Sequence, residues 1–336
     1  MMPPNLVFAF DPNKTRHVFD EEMLNRLGRT CNILAAEPLS SFSTPEARRL
    51  LALADILVTG WGCPVLTPDV LRAAPSLKLI AHAAGTVKYT IDPSAYASGI
   101  RVTHAAEANA VPVAEFTLAA ILFANKRVFE LRDLYRADPT RRTSYRLMDD
   151  PIGNFRRTVG LVGASRIGRK VAAMLAGFDL NVLLYDPFVQ ADDPIAMQAE
   201  LVDLDGLMAR SDVVSIHAPS LPSTRGMIGA RQLKLMRDGA AFINTARGAL
   251  IDEVALLAEL QTGRIQGIID VTDPEVPDTD SPFFSLPNVF LTPHIAGAIG
   301  TERARLGLMA VEEVERFVRG ESMLYEIEPE LLERLA

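Results

Sequence analysis

Residues 158–186, TVGLVGASRIGRKVAAMLAGFDLNVLLYD, constrain this chain more than any other stretch. The apolar, β-branched run at 158–162 has the length of a buried strand. It runs into Gly163-Ala164-Ser165-Arg166-Ile167-Gly168. An amphipathic helix pattern follows, with Ile167, Val171, Met174 and Leu175 on one face. A second apolar run, 181–185, ends in Asp186. Strand, glycine turn, helix, strand and acid in that order spell a dinucleotide-binding βαβ unit. The alternative is an ordinary βα turn with incidental glycines.

Each part has a physical task. Gly163 allows the tight turn out of the strand, and Gly168 lets the helix pack closely on it. Free N–H groups at the helix start attract a pyrophosphate, so Ser165, Arg166 and Ile167 are expected at that site. Asp186, 18 positions after Gly168, is placed to accept hydrogen bonds from the ribose hydroxyls. A carboxylate there repels a 2′-phosphate, which favours NAD over NADP. The middle glycine of G-x-G-x-x-G is replaced by Ser165. Its hydroxyl is small enough for the position and is expected to donate to a phosphate oxygen.

At 336 residues and 49% hydrophobic content the chain has material for two domains. Its net charge of −8 argues against nucleic acid or an anionic membrane as the main partner. Two cysteines, Cys31 and Cys63, suggest neither a disulfide framework nor a metal cluster, and fit a reducing cytosol. The N-terminal apolar run ends at Asp11, too early for a signal h-region, and reads as a first strand. No run approaches the ~18 apolar residues of a membrane span.

Short apolar runs alternate with helical patterns along the chain. Strands are expected at 6–10, 32–35, 56–59, 77–81 and 101–103, with helices at 19–27, 44–52 and 68–73. This rhythm implies α/β architecture, with parallel sheets covered on both faces. Gly60-Trp61-Gly62-Cys63-Pro64 and Ala84-Gly85-Thr86 lie where strands end, so they are candidate substrate loops as well as plain turns. One long helix is expected over 113–136, followed by a polar, arginine-rich surface excursion at 137–157. Further strands are expected at 213–217, 241–245, 267–271 and 289–292, and a last helix at 301–319.

Arg247, Glu275 and His294 each follow one of these later strands. Together they suit reduction of a 2-oxo acid. An arginine holds a carboxylate with a charge that never titrates. A histidine gives a proton to the developing alkoxide. A carboxylate orients the imidazole and favours its protonated form. Taken singly, each has a plainer reading as a surface ion pair, a solvated acidic loop or an ordinary loop histidine.

The motifs around them resemble the D-isomer-specific 2-hydroxyacid dehydrogenase family over roughly residues 81–297. VGASRIG is similar to its glycine motif apart from Ser165. LMARSDVVSIHAPSLPSTRGMIG (207–229) matches its second signature. MRDGAAFINTARGALIDE (236–253) resembles its third, which carries the catalytic arginine, here Arg247. TPHIAG carries the matching histidine, His294, and counting on from Asp270 places the family's glutamate at Glu275. NAVPVAEFTLA resembles the interdomain-helix motif, with Phe116 where many members have His.

The resemblance implies two Rossmann-like, doubly wound domains with a cleft between them. The substrate domain would be discontinuous and flavodoxin-like, residues 1–108 and 298–336. The NAD-binding domain would be residues 109–297. It also implies NAD as cofactor, a small 2-oxo or 2-hydroxy acid as substrate, no metal, a cytoplasmic enzyme and a homodimer. His217, Thr245, Ala246, Arg247, Asp270 and His294 would line the nicotinamide side. Asp270 either contacts the carboxamide or makes an ion pair within the site, and His217 is equally read as a structural histidine. Asp252 reads as a helix N-cap. Trp61 either lines the substrate pocket or caps the core of the first domain. Two rivals share the fold: formate dehydrogenase, which would carry Gln in place of Glu275, and a nicotinamide-sensing corepressor or scaffold without turnover.

Overall fold

In the computed structural model, which describes residues 2–329, all ladders between strands are parallel and fall into two sheets. The sheets belong to two units, Met1–Asn109 with Ala298–Ala336, and Ala110–Gly297. Residue 1 and residues 330–336, placed in the first domain from sequence, lie outside the described residues.

The first unit holds β1 (Asn5–Ala9), β2 (Asn32–Ile33), β3 (Ile56–Thr59), β4 (Leu79–His82) and β5 (Arg101–His104), in the order β2-β1-β3-β4-β5. Alternate residues enter opposite cores. Leu6, Phe8, Ile56, Val58 and Leu79 pack with Ala310, Val311 and Val314 of the helix Ala304–Arg319. Val7, Leu57, Ile80 and Val102 pack with Leu50, Leu51 and Leu71 on the other face. Burial on both faces explains why these strands read as unbroken apolar runs. The strand order reverses between β1 and β3. Their outgoing loops meet there, with the Asp11 N–H donating to Trp61 O at 3.0 Å.

The second unit holds β6 (Thr158–Val162), β7 (Asn181–Tyr185), β8 (Glu200–Leu201), β9 (Val213–Ile216), β10 (Ala241–Asn244), β11 (Gln266–Ile269) and β12 (Val289–Leu291). Their order is β12-β11-β10-β9-β6-β7-β8. Val162, Leu183, Val214 and Phe242 face one core, while Leu161, Leu184, Val213 and Ile243 face the other. The order reverses between β6 and β9, the position where open α/β sheets bind ligands beyond their carboxyl ends. Both units are therefore doubly wound α/β folds. Asp252 caps its helix as expected, and Asp20, Thr44, Ser165 and Asp203 likewise each accept an N–H from the first turn.

Two expectations need correction. The helix placed at 113–136 is two helices, Ala106–Asn125 and Val128–Ala137. The chain breaks at Arg127, whose left-handed φ of 51° ends the helical ladder. Residues 137–157 are not purely an irregular excursion, for they hold the helix Arg142–Met148. The helix Ala106–Asn125 is also long and apolar enough, by length and composition, to cross a membrane. Here Ala114, Ala120, Ile121 and Ala124 are buried in the second unit's core, which accounts for its apolar character.

Candidate active site

The glycine turn is shaped by contacts that leave no room for side chains. Gly163 has φ 104°, and a Cβ there would lie 2.5 Å from the main-chain N of Ala218. At Gly168 a Cβ would lie 2.1 Å from the Gly163 carbonyl oxygen. These two absences let the helix Arg166–Leu175 start directly on the ends of β6 and β9. Ser165 caps that helix: its Oγ accepts from Gly168 N at 3.4 Å. The hydroxyl expected to face a phosphate thus already serves the helix as an acceptor. Arg166 is exposed and Ile167 half-buried against the core.

Asp186 ends β7 as expected. Its Oδ2 accepts from Ala164 N at 2.7 Å and its Oδ1 from Phe188 N at 2.9 Å. The acid is thereby tied to the turn it was expected to serve.

His217 follows β9, and its N–H donates to Val162 O at 2.7 Å. Its Cβ would be 3.3 Å from a Cβ at Gly168. The side chain is 2% exposed, yet neither ring nitrogen has a partner. Burial pushes its pKa down to about 3, so the ring is neutral. Orphaned polar atoms under the glycine turn suit a bound polar ligand better than a closed core. With the turn, the helix start and Asp186, they fit an adenine dinucleotide.

β10, β11 and β12 are neighbours, and their outgoing loops carry Arg247, Glu275 and His294. His294 Nδ1 lies 2.5 Å from Glu275 Oε1, and both side chains are about half exposed. His294 sits at φ 55°, unusual for a residue with a side chain. Asp270, 2% exposed, enforces that turn. Its Oδ1 accepts from Thr292 Oγ1 at 2.6 Å and Ile295 N at 2.8 Å, and its Oδ2 from Ala296 N at 2.9 Å. This carboxylate, expected at the carboxamide or in an ion pair, gathers three donors from the histidine's own loop.

Arg247 is half-buried and forms no ion pair among the described residues. Its Nη1 donates to Ala246 O at 2.6 Å, leaving most of its donors open. Asn244 shapes this loop from within, donating to Arg247 O at 3.0 Å and accepting from Ala246 N at 3.1 Å. Thr245 is buried, with its hydroxyl 3.0 Å from that of Thr117.

Gly248 is the residue that sequence reasoning missed here. A Cβ at this position would lie 2.1 Å from Thr272 C and 2.4 Å from Asp273 N. The Arg247 loop therefore lies directly on the main chain that leads to Glu275. The one available signal was a glycine immediately after the arginine.

In the first unit, Trp61 is half-buried between two core clusters, with the Arg303 guanidinium 5.3 Å from its ring centroid. Ala84 is buried, while Gly85 and Thr86 are partly exposed and their N–H groups meet no main-chain acceptor among the described residues. His82, also missed, ties the two loops together. Its Nδ1 is 2.8 Å from Thr59 Oγ1, and the ring hydrogen-bonds the Thr86 main chain. Burial, with help from His104, pushes its pKa down to about 4.

Residues 118–296 match the model of the NAD-binding domain of the D-isomer specific 2-hydroxyacid dehydrogenases. The D-3-phosphoglycerate dehydrogenase of Mycobacterium leprae is 35% identical over 281 residues, 82% of this chain and 52% of that one. This chain thus spans about half the length of the curated phosphoglycerate dehydrogenases it matches. The glyoxylate reductase of Thermofilum pendens is 35% identical over 257 residues, 75% of each chain. Among solved structures, the TT0316 protein of Thermus thermophilus is 29% identical, with TM-score 0.74, over 96% of this chain and 100% of that one.

Proposed function

Since this chain belongs to the D-isomer-specific 2-hydroxyacid dehydrogenase family, we propose that it interconverts a small 2-oxo acid and the D-2-hydroxy acid. NAD is the cofactor, and when bound in reduced form it supplies a hydride to C2 of the substrate. The observation that carries the reading is the 2.5 Å contact between His294 and Glu275, on a turn fixed by Asp270.

Glu275 engages Nδ1, so Nε2 is the nitrogen that faces the reacting carbonyl and gives it a proton. The same nitrogen takes the proton back in the oxidative direction. The carboxylate fixes the ring's orientation. Arg247, with no ion-pair partner among the described residues, binds the substrate carboxylate through its open donors. Gly163, Ser165, Arg166, Ile167, Gly168 and Asp186 hold the pyrophosphate and ribose. His217, Thr245, Ala246 and Asp270 surround the nicotinamide side. Trp61, Ala84, Gly85 and Thr86 meet the substrate, the last two through their main-chain N–H groups.

A cytoplasmic homodimer completes the reading. It is supported by the free cysteines and by Tyr135, Tyr145 and Phe155, which are exposed on and after the helix Val128–Ala137. The test is a screen of 2-oxo acids with NADH, run on the wild type and His294→Ala. Turnover that His294→Ala loses by ~10²-fold or more is expected. No turnover with any 2-oxo acid, or a fully active variant, would overturn the proposal.

A further inference from the structure

Asp186 has a neighbour that the reading above does not use. Ala164, inside the glycine turn, is gripped on both sides. Its N–H donates to Asp186 Oδ2 at 2.7 Å, and its carbonyl accepts from Arg169 Nε at 3.0 Å. Arg169 and Asp186 thus hold the same residue of the turn, which sets a guanidinium close to the acid expected at the ribose. Two of its four remaining N–H groups, one on each terminal nitrogen, are engaged. Asp193, on the segment after β7, takes it in a two-pronged pair, Nη1 to Oδ1 and Nη2 to Oδ2, both at 2.7 Å.

Asp193 is built in rather than loosely placed. Its Oδ1 also accepts from Ile195 N at 3.0 Å, and the Ile195 side chain is buried in the core. The side chain of Asp193 is 20% exposed. The bidentate pair holds its carboxyl down to about 2, so it stays charged at any working pH.

A guanidinium with open donors beside a ribose is the usual receptor for a 2′-phosphate, which brings almost two negative charges. Here Asp186, Arg169 and Asp193 together carry one net negative charge. Without Asp193 the pair of Asp186 and Arg169 would be neutral, and both terminal nitrogens of the arginine would be open. We propose that Asp193 is a second determinant of cofactor choice: by occupying Arg169 it denies a 2′-phosphate the guanidinium beside Asp186. This rests on reading Asp186 as the ribose acid.

The signature is cooperativity. Asp186→Ser alone leaves Arg169 held by Asp193. Asp193→Asn alone frees an arginine that can turn to Asp186. Only the double variant gives both an open guanidinium and no repelling acid. Asp193→Asn keeps an oxygen for the Ile195 N–H, so the local turn retains its cap.

Dissociation constants of 2′,5′-ADP and 5′-AMP, measured by calorimetry for wild type, both single variants and the double variant, test this without turnover. The new charge-assisted hydrogen bonds to Arg169 should tighten 2′,5′-ADP in the double variant by ~10-fold or more beyond the product of the single effects. For 5′-AMP, which loses its ribose contact in every variant carrying Asp186→Ser, the double-variant effect should match the product of the single effects within ~3-fold, and adding Arg169→Met should abolish the 2′,5′-ADP gain. Additive single effects, or equal weakening of both nucleotides by Asp193→Asn, would overturn the inference and leave Asp186 as the ribose acid. An unchanged nucleotide ratio in Asp186→Ser would instead overturn that underlying reading, and the inference with it.

Discussion

Replacing Gly248 by alanine should damage chemistry more than folding or cofactor binding. The added Cβ would lie 2.1 Å from Thr272 C, 2.3 Å from Thr272 O and 2.4 Å from Asp273 N, against an ordinary contact of at least 3.4 Å. All three are main-chain atoms, so no side chain can swing aside. The two loops must part by more than an ångström. Thr272 is bound to the residues just after it, its Oγ1 donating to Pro274 O at 2.7 Å and reaching Glu275 O at 3.2 Å. A displaced Thr272 therefore carries Glu275, and with it the orientation of His294, away from Arg247. Overpacking of this kind costs about 1–3 kcal/mol of stability. An ångström of misplacement costs ~10²-fold in rate, about 2.7 kcal/mol in the barrier. The measurements are urea unfolding, NADH titration and kcat/KM with the best 2-oxo acid. Gly177→Ala, where a Cβ meets only Met174 O at 3.7 Å, is the control and should be near neutral. If Gly248→Ala keeps kcat/KM within ~3-fold of wild type, the loop contact does not position the catalytic groups.

Three further outcomes are expected. His82 and His217 are buried neutral, with pKa values pushed down to about 4 and about 3, below the ~6.5 of an unfolded histidine. The unfolded chain binds more protons in that window, so stability should fall as pH drops from ~6.5 towards 4, by ~1.4 kcal/mol per pH unit for each histidine. The double variant His82→Gln, His217→Gln should flatten that slope in urea unfolding, and parallel slopes would refute the assignment. Glu275→Gln keeps a hydrogen-bonding group beside His294 but removes its charge, so reductive kcat should drop by ~10-fold or more while NADH affinity holds; equal kcat would remove Glu275 from the mechanism. Asp270→Ala strands three donors, and a stability loss of ~3 kcal/mol or more should accompany loss of activity; a variant as stable as wild type would show that the His294 turn holds itself.

The features legible in the sequence were the contiguous ones. The βαβ unit at 158–186 could be read because its strand, glycines, helix face and acid lie within one short run. The later strands could be read because each is buried on both faces and so unbroken in its apolar character. Strand order could not, since nothing local says that β6 lies between β7 and β9. The break at Arg127 was hidden because Lys126 and Arg127 are good helix formers. It is held by one local and one tertiary contact: Arg127 Nε donates to Glu130 at 2.7 Å, and Gln266 of β11 donates to the same carboxylate at 2.8 Å. The helix begins at Ala106, ahead of the expected 113, and takes Pro112 within it.

The same limit separates the two carboxylates near His294. Asp270 and Glu275 are both acids just beyond β11, and sequence alone gave each a place beside the reacting groups. Geometry separates their tasks. A histidine in the left-handed region costs about 1–2 kcal/mol, which some fixed interaction must offset. Asp270 supplies it: buried, it directs both oxygens at Thr292, Ile295 and Ala296, one on the near side of His294 and two beyond it. Three donors thus hold those oxygens in place. Glu275 is half exposed and directs an oxygen at the imidazole itself. Among the described residues only Glu275 contacts the imidazole, while Asp270 contacts the loop that carries it. The turn and the proton are thus governed by different carboxylates, which is why Asp270→Ala should cost stability and activity together and Glu275→Gln activity alone.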